Sequence, residues 1–222
     1  DGDAPFSIGT ENAVSADLAF DGLVVADVTG INRDDETAGV LVSPVSGLVT
    51  SEAGETAMFT LVLQSAPTAN VAIAVASTDI TEGTVPGSAL TFTPLNWNVA
   101  QSVTVTGVDD EVTDGDQDFM ITVGPATSLD ANYDGLSGDE VSVTNTDDET
   151  AGFVVTPMSG LVTTEGGSTD TFTVVLRSSP SSDVVFAVTS TRVTEGTVSP
   201  ATLTFTTATW STPQTVSVTG VN

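Results

Sequence analysis

The chain has 222 residues, 39% apolar and 5% aromatic, and its 30 Asp and Glu stand against three Arg, no Lys, no His and no Cys, for a formal net charge of -27. That length accommodates one large or two ordinary domains with cores of their own. The charge argues against nucleic acid and against anionic membrane surfaces, which both require a basic face, and the missing residue types remove the Ser-His-Asp triad, the Cys nucleophile, the ordinary zinc site and the lysine Schiff base.

In chain order the predicted elements are all strands. "FTLVLQ" from Phe59, "NVAIAV" from Asn70, "ALTFT" from Ala89, "QSVTVTG" from Gln101, "DFMITV" from Asp118 and "DEVSVT" from Asp139 are short and rich in Val, Thr and Phe. Phe59, Leu61 and Leu63 share one face, as do Val71, Ile73 and Val75, then Val103 and Val105, then Phe119, Ile121 and Val123. A period of two places one face on a core and the other in water. Gly, Pro, Asp and Ser fill the gaps as turn formers, and the Gly of "TEGT" at Thr81 and Thr194 reads as one of them. No segment carries a helical period. The predicted fold is an all-β, immunoglobulin-like antiparallel sandwich; sustained alternation argues against a disordered acidic chain. The apolar run "VAIAVA" from Val71 falls far short of the roughly 20 residues that span a bilayer, so no membrane insertion is expected. With no initiator Met, signal segment or lipidation motif, the chain reads as a processed product or an excised piece.

A repeat organises these strands. "DDETAG" occurs at Asp34 and again at Asp147, an offset of 113 that holds without a gap along the chain. Phe6 matches Phe119, Glu52 matches Glu165, Trp97 matches Trp210 and Gly107 matches Gly220. Only Asp110 to Thr113 lack a counterpart. Strand character stops at Asp147 and resumes at Gly152, so "DDE" closes one unit and "TAG" opens the next. On that phase 37–149 is a complete domain, 1–36 holds the C-terminal strands of a preceding repeat, and 150–222 holds the N-terminal strands of a following one without its last strands. Each end piece then exposes unpaired edges and half a core. Either 1–36 pairs with 150–222, within one chain or between neighbouring chains, or the chain is a piece of a longer array; pairing between chains, a heterologous contact that does not close, would propagate as a filament.

The acidic residues gather in loops. "DDEVTDGD" lies between two strands and "TDDE" ends the last one, while Glu52 and Asp79 follow earlier strands that reach the same end of a sandwich. Converging carboxylates repel by of order 1 kcal/mol per pair, and a hard dication reverses that sign. Calcium accepts six to eight oxygens in irregular geometry, whereas magnesium keeps a strict octahedron and its waters, so Ca2+ is the expected ion.

"GVDDEVTDGDQDFMITV", "YDGLSGDEVSVTNTDDE" and "VTSEAGETAMFTLVL" resemble the Calx-beta domain, a module of sodium/calcium exchangers that recurs in bacterial surface proteins. The resemblance implies an immunoglobulin-like sandwich with calcium clustered at one tip. It carries the ligand set to Glu52, Asp79, Asp109, Asp110, Asp114, Asp147, Asp148 and Glu149. Asp1, Asp34, Asp35 and Glu36 serve an equivalent tip if another segment supplies its first half, and Glu165 is the counterpart of Glu52 in the next repeat. Three departures weaken the pattern: Gln117 stands where a further acidic ligand is expected, Arg192 replaces Asp79, and Asn222 replaces Asp109.

Three functional classes follow. A calcium-rigidified structural repeat of a secreted or surface-displayed bacterial fibre or adhesin, joined head-to-tail to copies of itself or to neighbouring repeats, is the expected one, its cell-surface or glycan target unread. A calcium sensor is the alternative, which near-identical tandem units disfavour. A carboxylate-based glycan-active enzyme is a third, but repetition of every acidic loop argues against a single active site, so no enzyme is expected. Trp97 and Trp210 read as packing residues rather than a sugar platform, and Asp134 as a turn residue.

Overall fold

A computed structural model describes residues 2–222. It contains seventeen strands and no helix among the described residues, as the alternation predicts. Strands β1 (Ala4–Ile8) and β2 (Val28–Asn32) form a two-stranded antiparallel sheet by themselves. Nine strands follow: β3 (Val40–Ser43), β4 (Leu48–Ser51), β5 (Thr56–Leu63), β6 (Val71–Ser77), β7 (Gly83–Thr84), β8 (Leu90–Phe92), β9 (Gln101–Gly107), β10 (Gln117–Ser128) and β11 (Val141–Thr146). They build one sheet in the order β4-β11-β10-β6-β8 and a second in the order β3-β5-β9-β7. All pairs are antiparallel except β11 with β4, which run parallel. Last come β12 (Phe153–Thr156), β13 (Thr169–Leu176), β14 (Val184–Ala187), β15 (Gly196–Ser199), β16 (Thr202–Phe205) and β17 (Gln214–Gly220), in sheets β12-β13-β17-β15 and β14-β16.

Burial follows the period of two. Phe59, Leu61 and Leu63 of β5, Val71 and Ile73 of β6, Val103 and Val105 of β9, and Phe119, Ile121 and Val123 of β10 all face one core. Trp97 packs against that cluster, and Trp210 against a smaller one built on Val174, Leu203, Phe205 and Val216. Both tryptophans are therefore packing residues, as expected.

Two details depart from the sequence reading. The central stretch carries nine strands rather than the six read from the sequence, because β3, β4 and the two-residue β7 have no run of alternation long enough to read. Gly83 closes the turn after Asp79, its N–H donating to the Asp79 carbonyl at 3.1 Å, but it needs no positive φ there and is also the first residue of β7. It pairs with Gly107 inside β7, and a Cβ there would collide with the Phe119 ring. The absent side chain makes room for an aromatic knob.

One corner is pinned by polar groups. Tyr133, almost fully buried, donates its hydroxyl to the Ser65 carbonyl at 2.6 Å and accepts from the Ser65 N–H at 3.1 Å. Beside it, the buried Asp130 carboxylate accepts from the N–H groups of Thr68 and Asn132, and these donations hold its carboxyl below the ordinary range against burial. Asp134 accepts the Ser128 N–H, which makes it the turn residue the sequence predicts.

Candidate metal centre

The tip is built by three chain segments. At the end of β4 the chain turns sharply: the Gly54 N–H donates to the Ser51 carbonyl, with Gly54 in the left-handed region at a φ of 93°. The Glu52 N–H donates to the Thr146 carbonyl at 3.1 Å, so the parallel β4–β11 pair continues one residue further and aims Glu52 at the end of β11. The second segment is the loop after β9, beginning at Asp109. The third is Asp147 to Glu149, which leaves β11.

Asp147 organises the loops rather than joining the cluster. Its carboxylate accepts the Gly115 N–H at 2.8 Å and the Glu149 N–H at 3.0 Å, while its own N–H donates to Asp116. Burial would raise its carboxyl, but the donations from Gly115 and Glu149 outweigh that and keep it low. Gln117, where a further ligand was expected, donates its amide to the Asp114 and Gly115 carbonyls and folds the loop from inside.

Glu52, Asp109, Asp148 and Glu149 each offer one carboxylate oxygen to a single group in which all four atoms lie within 4.8 Å of one another. Glu52 is 6% exposed, and its Oε2 is buried without a hydrogen-bond partner; Oε2 of Glu149 is in the same condition. An orphaned buried carboxylate oxygen is costly unless something positive sits beside it. Burial, then the neighbouring Glu149 carboxyl and the charges of Asp110 and Asp147, push the Glu52 carboxyl up to about 8. At Glu149 the contact with Glu52 works downward, and burial with the charges of Asp147 and Asp148 outweighs it, leaving that carboxyl raised. The donor set is all oxygen and all anionic, which fits a hard divalent cation.

The remaining predicted residues divide. Asp110 lies close enough to raise Glu52, but its Oδ1 is committed to the Val112 N–H at 2.6 Å. Asp79 is exposed and outside the group; hydrogen bonds from the Thr81 side chain and backbone lower its carboxyl and make it a turn residue. Asp114 is exposed and also outside, adjacent to Glu82. Asp34, Asp35 and Glu36 sit at the end of β2, where the Gly2 N–H donates to Asp34, Asp34 donates to Asp3, and Glu36 donates to Asp34. These bonds repeat, at an offset of 113, those that Asp147 makes with Gly115, Asp116 and Glu149, and the first of them leads in lowering the Asp34 carboxyl. Asp1 lies outside the described residues. Glu165 is exposed in a turn and joins no acidic group among the described residues.

Two residues escaped the sequence reading. Glu82 is half-buried beside the cluster: burial raises its carboxyl, a donation from Asn145 opposes this, and the charges of Asp114, Asp79 and Asp110 add to the rise. Asn145 is buried under the tip, donating to the Val108 carbonyl at 3.1 Å and accepting from Thr50 at 3.0 Å. It ties the floor of the site to β4 and β9. A polar residue at an inward position of β11 was the available signal.

No family model and no curated protein matches the chain. Solved structures similar to it include CBD12 from CALX1.2, at 17% identity and a TM-score of 0.38, covering 82% of this chain and 75% of that one. The apo-form Calx CBD1 domain is 18% identical with a TM-score of 0.39, covering 51% and 99%. The E. coli chaperone DraB is 9% identical with a TM-score of 0.37, covering 77% and 86%. The chain is similar in its β architecture to these proteins, and at such identities and scores the likeness carries nothing about the residues at the tip.

Proposed function

We propose that the chain is a calcium-binding structural repeat of a secreted or surface-displayed bacterial fibre or adhesin. The carrying observation is Glu52, buried with an unpartnered Oε2 against Asp109, Asp148 and Glu149. Those four residues would hold the ion, with Asp110 and Asp147 adding charge around it. Bound calcium would supply positive charge where these like charges meet, and the residues that would hold it join the loop after β9 to the end of β11. Four carboxylates from loops favour calcium over magnesium, which dehydrates reluctantly and demands an octahedron.

In this reading residues 37–149 are one complete unit, 1–36 close a preceding one and 150–222 open a following one. The ion sits where one unit hands over to the next, since Glu149 is three residues from Gly152, whose carbonyl accepts the Arg177 N–H. The loop after β9 also reaches forward: Val112 bridges to Ser179, and Thr113 donates to the Ser178 hydroxyl at 2.6 Å. A calcium ion that orders this loop therefore stiffens the junction, the role a fibre module requires. Copies of the chain would follow one another head-to-tail.

Thermal melts in excess calcium and in chelator test the metal. Calcium at a hundredfold over its dissociation constant is expected to stabilise the 37–149 unit by about 2.7 kcal/mol. An unchanged midpoint removes the ion from the account.

A further inference from the structure

Beneath the acidic tip, one buried hydroxyl meets one buried amide across two strands. Thr50 and Asn145 stand directly opposite each other in the parallel β4–β11 pair, 95 residues apart in sequence. Thr50 is 0% exposed and Asn145 1%, and Thr50 Oγ1 donates to Asn145 Oδ1 at 3.0 Å. The amide is fixed on both sides. Its Nδ2 donates to the Val108 carbonyl at 3.1 Å, and Gly107 leaves it room only by lacking a side chain, since a Cβ there would collide with Asn145 Oδ1 and the Ser51 carbonyl.

A carboxyl stands on the nitrogen side of that amide. Glu82 Oε2 accepts from Asn145 Nδ2 at 3.4 Å, and the Glu82 carbonyl accepts the Val108 N–H at 3.0 Å, so Val108 holds acid and amide in one place. Glu82 is half-buried, and burial leads in raising its carboxyl, which therefore keeps its proton to higher pH than an exposed glutamate and can act as an acid. A hydroxyl, a primary amide and an acid held together out of water are the components of an intramolecular acyl transfer, because fixed placement and desolvation lower a barrier that the free groups do not cross in water. Thr93 and Asn96 give the contrast within the same unit. Thr93 Oγ1 donates to Asn96 Oδ1 at 2.9 Å, but both residues are half-buried in a local turn, and no carboxyl is hydrogen-bonded to that amide among the described residues.

We propose that Thr50 and Asn145 are the site of an internal ester crosslink, formed by attack of Thr50 Oγ1 on Asn145 Cγ with loss of ammonia. The Oγ1–Cγ bond forms and the Cγ–Nδ2 bond breaks. Glu82 gives its proton to Nδ2, which leaves as ammonia, and the proton released from Thr50 Oγ1 restores the Glu82 carboxyl. No electrons are gained or lost and no co-reactant is consumed. The same three residue types recur one repeat away, at Thr163, Glu195 and Asn32. The bond ties β4 to β11 just below the tip, so a pull on the two ends of the 37–149 unit passes across the linkage and leaves the stretch between Thr50 and Asn145 folded. It rests on side-chain geometry and neither on the ion nor on the fibre reading.

Denaturing mass spectrometry of the full chain, folded beforehand in chelator or in calcium, tests this directly. Wild type is expected to fall below its sequence mass by one ammonia in both conditions, and digestion is expected to yield one fragment joining the peptide of Thr50 to that of Asn145. Thr50→Ser, which keeps a hydroxyl, is expected to retain the deficit, Thr50→Val to show the full sequence mass, and Glu82→Gln to acquire the deficit more slowly, all with the circular dichroism of wild type. A folded wild type at full sequence mass overturns the proposal, as does a deficit that survives in Thr50→Val or maps to Thr93 and Asn96. A Glu82→Gln chain that links as fast as wild type overturns the role given to Glu82. Calcium titration of the same wild-type sample separates the readings: an unlinked chain that binds calcium overturns the crosslink alone, and a linked chain that binds none overturns the metal centre alone.

Discussion

Glu52 is the residue on which opposing forces converge. Without an ion its buried carboxyl is held to about 8, so the folded state binds a proton more tightly than the unfolded chain does. The sign follows: stability from this group is present below the ordinary carboxyl range, is lost as pH rises from there through about 8, and does not return above it. Melts in chelator are expected to fall over that window, and Glu52→Gln is expected to remove the decline, matching wild type at acid pH and exceeding it near neutral pH. In calcium the order reverses, since the amide cannot supply the anionic oxygen, and the variant should lose most of the roughly 2.7 kcal/mol that saturating ion contributes. Asp79→Asn serves as the contrast. Its carboxylate is occupied by Thr81 and lies outside the four-residue group, so calcium stabilisation is expected to survive unchanged. Which acids meet was only partly legible in the sequence. The clustering of "DDEVTDGD" and "TDDE" is local and visible, but Asp79 stays outside the four-residue group because the turn before β7 spends it on its own backbone, while Glu82 comes in beside Asn145.

At the scale of the strand, the two glycines of "TEGT" separate sequence from context. Gly83 and Gly196 occupy the same repeat position with identical neighbours from Thr to Val, yet only Gly83 lies under an aromatic ring. Gly83→Ala is expected to destabilise the 37–149 unit by about 1 to 3 kcal/mol through overpacking against Phe119. Gly196→Ala is expected to leave the midpoint of the chain unchanged. Equal effects would mean that Phe119 can move aside without loss. Tyr133→Phe, measured in the same melts, is expected to lower stability by about 1 to 2 kcal/mol, because the half-buried Ser65 carbonyl and N–H lose their shared partner. The strands themselves were readable because inward and outward residues alternate strictly. The parallel β4–β11 pair was not. Its register depends on contacts across nearly a hundred residues, and Leu48–Ser51 is too short to alternate visibly.

Across the whole molecule, burial is uneven. Seventeen buried apolar residues form the core of the 37–149 unit, five form that of 150–222, and β1 and β2 bury none. Hydrogen exchange is expected to be slowest in β5, β6, β9, β10 and β11, and fast in β1, β2 and β14. The repeat at offset 113 was the longest-range fact in the sequence, and the β1–β2 register reproduces it residue for residue. What a repeat cannot convey is which copies of each half meet, since that depends on the partner of every open edge. The charge of the tip remains the claim from which the others follow, and a calorimetric titration of the full chain with calcium addresses it most directly. The account predicts saturable binding that Glu52→Gln abolishes and Asp79→Asn preserves. An absence of saturable heat at neutral pH, with no change in melting on adding the ion, would contradict it.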